Sequence, residues 1–241
     1  MVFLRRRAAE ERNIMSQRFD LYSAVHKALR NYMGATLLQL GRLDLSSEGE
    51  VQACAAALTG LANWLEDHLA IEEQFVHRAL AERRNHSVLS GIRRDHEEHE
   101  RSLSLLRSDV AALLSTQQED ADARRARARH LYLAFSRLVA DNLLHMAVEE
   151  TELNPLLWET FTDEELFGIY AAILASERPE QLNLSVSWLL PAIPPDERAR
   201  VVGGARHAMP AAVFDSLLLQ VKSVLMPRDY DKLMSALQSA A

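Results

Sequence analysis

Four long segments of this chain carry apolar residues at every third or fourth position, and short polar turns separate them. A stripe with that period is one face of a helix that needs a partner to cover it. The spacing predicts helices from about Gln17 to Leu40, from Glu50 to Arg83, from Ser87 to Thr116, and from Ala123 until Pro155 and Trp158 end the last one. Gly41 stops the first helix, and Asp44, Ser46, Ser47 and Gly49 make the turn after it. The polar run Gln117 to Asp122 makes the third turn. Alternating β-branched runs are missing, and Ala, Leu, Arg and Glu dominate. Long helices joined by short turns pack as antiparallel neighbours. The expected fold is therefore all-α: an up-down-up-down four-helix bundle with a C-terminal helical extension.

The extension begins where the pattern changes, near Phe161. Shorter helices follow, with prolines at their starts or breaks: Pro179, Pro191, Pro194 and Pro195, Pro210 and Pro227. Thr162 and Glu165 have the spacing of a capping box. The chain thus divides into an N-terminal segment (1–16), the bundle (17–158) and the extension (159–241). Apolar faces at Trp188, Leu189, Leu190 and at Val213, Phe214 and Leu217 to Leu219 pack onto the bundle or onto a second copy, which would make a homodimer.

Composition removes several classes of function. Apolar residues at 48% and charged residues at 25% exclude a disordered chain. The single cysteine, Cys54, excludes an internal disulfide framework and a Cys-rich metal site, and suits a reducing, cytoplasmic setting. No uncharged apolar run approaches the roughly 18 residues of a membrane span. Arginines near the N-terminus have no apolar stretch after them, so no secretory signal is expected. A net charge of −7 argues against nucleic-acid binding by broad electrostatics. Arg5 to Arg7 and Arg124 to Arg129 are flanked by acids and read as solvated surface.

Each apolar stripe is interrupted once by polar groups: at His26; at His68 and Glu72; at His96 and His99; and at Asn142, His145, Glu149 and Glu152. Counted from turns near residues 45, 85 and 120, their heights agree to within a few residues, about 6 Å of helix rise. They should meet at one level inside the bundle. An unpaired buried polar group costs about 2–7 kcal/mol, and a bare carboxylate more. Five imidazoles and two carboxylates without compensation would exceed a domain's net stability of about 5–15 kcal/mol. Metal ions compensate such a set, because imidazole and carboxylate are their natural ligands. The pattern His-x-x-x-Glu, which puts both side chains on one helix face, occurs at His68/Glu72 and again at His145/Glu149. His77, His86, His130 and His207 fall off the stripes or outside the bundle and read as surface or structural residues.

The order His, His-x-x-x-Glu, His, His-x-x-x-Glu resembles the hemerythrin-like (HHE cation-binding) domain. The likeness includes DLYSAVHKALR around His26, HLAIEEQF at His68, RDHEEH at His96 and HMAVEETELNP at His145. It implies a bundle holding a non-haem di-iron centre with an oxo or hydroxo bridge. The implied ligands are His26, His68, Glu72, His96, His145 and Glu149, with both glutamates bridging. Hemerythrins proper carry two histidines four apart on the third helix. Here His96 and Glu100 have that spacing, and His99 lies three after His96; the apolar stripe favours His99. With His99, five imidazoles, two bridging carboxylates and one bridging oxygen fill eleven of twelve octahedral positions. The resemblance then implies a small diatomic or peroxide ligand at the open position: O2, peroxide or NO, bound or detoxified. The alternatives are an iron- or oxygen-responsive binding module acting through the extension, and an oxygenase of a small organic substrate.

Overall fold

The computed structural model describes residues 18–83, 87–116 and 120–239, and every regular element among them is a helix. The N-terminal segment 1–16, the Arg5 to Arg7 cluster and His86 lie outside the described residues. Helix α1 (Ser23–Gly41) is followed by α2 (Glu48–Ile71), a π-helical turn (Glu72–His77) and α3 (Arg78–Arg83), which together form one continuous rod. Helix α4 (Ser87–Leu114) comes next. Helix α5 (Ala121–Val148) then continues through a second π-helical turn (Glu149–Leu153) into α6 (Asn154–Thr160). These rods form the up-down core bundle, and α7 (Asp163–Ser176), α8 (Pro179–Ala192), α9 (Pro195–Ala208), α10 (Ala211–Val224) and α11 (Pro227–Ser239) follow it.

Local chemistry sets the helix ends. The first helix starts at Ser23, later than Gln17, because Asp20 Oδ1 accepts the N–H groups of Tyr22 and Ser23, at 2.9 Å each. Asp120 Oδ1 likewise accepts the Ala123 N–H at the start of α5. Before α7 the capping box forms: Glu165 Oε2 accepts the Thr162 N–H at 2.9 Å, and Thr162 Oγ1 accepts the Glu165 N–H at 3.3 Å. Prolines open α8, α9 and α11, where a missing N–H costs nothing.

The chain divides into two compact units. One takes the described residues up to Ser23 together with Glu66–Leu105 and Arg137–Ser176. Its apolar core includes Tyr22, Val76, Leu80, Ile92, Leu153 and Leu166. Arg18 fastens its start, donating to Asp163 Oδ1 at 2.6 Å and to the carbonyls of Trp158 and Phe161. Trp158 Nε1 donates back to the Phe19 carbonyl at 2.8 Å.

The other unit takes Ala24–Leu65, Leu106–Ser136 and Glu177–Ala241. Here α8 meets α1: Trp188 stacks on Tyr32 with centroids 4.1 Å apart, and Asn31 donates to the Trp188 carbonyl. Helices α8–α11 enclose a core of their own around Leu190, Val202, Phe214, Val221 and Leu233. Of the apolar faces picked out in the sequence, Leu190 and Phe214 are buried, while Val213 and Leu219 stand exposed. Arg124 departs from the solvated reading of its cluster. It is buried and donates to Glu48 Oε2 at 2.6 Å.

Candidate metal centre

Five of the seven candidate ligands converge inside the first unit. His68, Glu72, His96, His145 and Glu149 are all buried there, with Glu149 fully enclosed. Glu72, His96, His145 and Glu149 each offer a ligand atom within 4.8 Å of the others. His68, Glu72 and Glu149 do the same, so the two groups share both carboxylates. Two cation positions bridged by two glutamates have this form.

The helical spacing makes each half of the site. His68 Nε2 lies 3.1 Å from Glu72 Oε1, and His145 Nε2 lies 3.3 Å from Glu149 Oε1, each pair one turn apart. Helix α4 brings His96, whose Nε2 lies 3.1 Å from His145 Nε2, 3.6 Å from Glu72 and 3.8 Å from Glu149. Carboxylates stand behind both rings. His96 Nδ1 is 3.3 Å from Glu73 Oε1, and His145 Nδ1 is 3.8 Å from Asp95 Oδ2. Carboxylates that attract the Nδ1 protons leave the Nε2 lone pairs facing inward.

Electrostatics follow from enclosure. Burial lowers the His145 pKa, but the hydrogen bond to Glu149 and the charges of Glu149 and Glu72 outweigh it and leave it raised. Burial, then the neighbouring His145 and His96, push His99 down to about 4. The Tyr22 phenol is held well above its usual range by burial and by the charges of Glu149 and Glu72, so it stays protonated. The donor set fits a metal pair: two buried carboxylates crowded by imidazole nitrogens are stabilised by cations.

The remaining candidates are placed differently. His26 is wholly buried on α1, one turn after Tyr22. His99 is buried, but its ring stands edge-on to His145 at 4.8 Å, and it belongs to neither group of converging atoms. His130 is exposed and faces Asp109, as expected of a surface residue. His77 is a correction to its surface reading: it is 0% exposed and lies against the site.

Both π-helical turns explain what the apolar stripe misplaced. A π turn spends one residue more than an α turn, which moves everything after it back by one position. The stripe puts Phe75 and Glu152 inward; instead Val76 and His77, and Leu153 and Asn154, are buried, while Glu152 is exposed. No departure from helical periodicity announced either turn. The only available signal was a polar side chain five residues after Glu72 and after Glu149.

The sequence profile of the hemerythrin HHE cation-binding domain matches residues 18–157. The chain belongs to the hemerythrin family. The match spans the bundle and every candidate ligand, and it ends before α7. No curated protein is significantly similar to the chain. As a hemerythrin-family protein it carries the expected His/Glu cluster, with two overlapping cation positions that suit a di-iron cofactor and a small ligand such as O2 or peroxide. No described helix is long and apolar enough to cross a membrane.

Proposed function

We propose that this hemerythrin-family protein binds or detoxifies O2, peroxide or NO at a di-iron centre held by His26, His68, Glu72, His96, His145 and Glu149. The observation that carries the reading is the sharing of Glu72 and Glu149 between two groups of converging ligand atoms. His26 enters the set on its full burial and its place in the family motif. His99 stands beside His145 as a buried neutral imidazole.

When bound, the metal pair supplies a redox-active acceptor for a diatomic or peroxide ligand. The protein's own residues do the rest. Glu72 and Glu149 hold both positions together. Glu73 and Asp95 stand beside Nδ1 of His96 and His145, where their negative charge favours a proton on that nitrogen. Tyr22, Ile92 and Leu153 keep bulk water from the carboxylates. A His-rich set carries less negative charge than a carboxylate-rich one, which favours ligand binding or peroxide turnover over oxygenation of a substrate. The single cysteine is buried, in keeping with a reducing cytoplasmic setting.

The His68→Ala, His145→Ala double variant tests this reading. It is expected to lose the metal pair and its absorption while keeping its helical content. A double variant that still holds two irons per chain with an unchanged spectrum would refute it.

A further inference from the structure

A buried imidazole outside the family motif faces the same carboxylate as the motif histidines. His77 lies at the end of the first π-helical turn, five residues after Glu72. Its Nδ1 is 3.2 Å from Glu73 Oε1. An ionised carboxylate only accepts, so Nδ1 donates, and Nε2 is the ring atom left to meet a cation. That Nε2 is fully enclosed, has no hydrogen-bond partner and lies 3.8 Å from Glu149 Oε1. A cation between Nε2 and that oxygen would satisfy both buried atoms at once.

The distances suit a cation. Ligand atoms about 2.1 Å from one metal stand about 3.0 Å apart at right angles and about 4.2 Å apart across it. Glu149 Oε1 stands 3.3 Å from His145 Nε2, 3.8 Å from His96 Nε2 and 3.8 Å from His77 Nε2. Glu73 Oε1 also lies 3.3 Å from His96 Nδ1, so one carboxylate bonds the His77 ring and stands beside the His96 ring. His99 meets His145 edge-on at 4.8 Å, as His96 does, but unlike His96 and His77 it shares no group of converging atoms with a carboxylate.

We infer that His77, and not His99, supplies the fifth imidazole of the di-iron centre, joining His96 and His145 on one metal, with Glu73 as the positioning residue for both His77 and His96. The inference rests on the di-iron reading above. It divides the imidazoles three to one metal and two, His26 and His68, to the other.

Anaerobic titration with Co2+, a spectroscopic stand-in for Fe2+, tests it on wild type, His77→Gly, His77→Gln and His99→Gln. The wild type is expected to take up two ions and to show five hyperfine-shifted exchangeable imidazole N–H resonances. His77→Gly should weaken one of the two ions by at least about tenfold, and added imidazole should restore it. His77→Gln should lose one shifted resonance. His99→Gln should keep all five resonances and both affinities. Unchanged affinities in both His77 variants would overturn the inference. So would failure of imidazole to rescue a weakened His77→Gly, or loss of a resonance in His99→Gln. Should the His77 variants not fold, the His99→Gln count decides alone: five supports and four overturns. A wild type that takes up no metal defeats the di-iron reading itself, and the role of His77 falls with it.

Discussion

The two His-x-x-x-Glu turns share a backbone and differ in what they deliver. Each glutamate opens a π-helical turn, and each turn buries the residue five positions later. After Glu72 that residue is His77, aimed at Glu149 and held by Glu73. After Glu149 it is Asn154, which is buried and whose Oδ1 has no hydrogen-bond partner. The same register shift therefore places a metal-competent side chain on one rod and a neutral amide on the other. The backbone device sets where a side chain goes, and residue identity decides whether the centre gains a ligand.

The largest expected effect lies in what the turns share. Glu72→Ala and Glu149→Ala should each reduce bound iron from two per chain to one or none, because each carboxylate belongs to both groups. Retention of two irons by either variant, measured by metal analysis, would break the symmetry claimed for the two glutamates. A smaller effect is expected where the turns differ. Asn154→Ala should leave both metal affinities unchanged and alter stability by no more than about 1 kcal/mol, since its Oδ1 makes no bond to lose. Urea unfolding and metal titration of that variant check both halves.

A pH-dependent effect concerns His99. Its pKa in the folded apo-protein lies at about 4, below the usual histidine value of 6.5. Between those values the unfolded chain binds more protons than the folded one, so stability rises with pH across that window. The contribution is full above pH 6.5 and is lost as the pH falls towards 4. His99→Leu should flatten this slope in denaturation series at pH 4 to 7, and an equally steep slope would show that the ring titrates as if exposed.

Much of this was legible in the sequence for a physical reason. Helical period, turn residues and the cost of burying charge are local or additive, so the four rods and the polar level at His68, His96 and His145 could be read directly. What depended on backbone departures could not. The π-helical turns bury His77 against its surface reading and turn Glu152, which the stripe places inward, out to the surface. His99 kept the stripe's spacing and is buried, but its ring atoms fall outside the groups that converge on the two glutamates. Arg124 read as surface until Glu48, far away in sequence, appeared beside it. The stacking of Trp188 on Tyr32 was likewise a tertiary event with no sequence period to announce it.

The central claim is a metal pair held by buried histidines and two shared glutamates. Metal content of freshly purified protein, with its near-UV and visible spectrum before and after exposure to O2 and peroxide, tests that claim most directly. Two irons per chain are expected, with oxo-bridge charge-transfer bands that change on exposure. Protein without metal, which takes up no ferrous iron under anaerobic conditions, would contradict it.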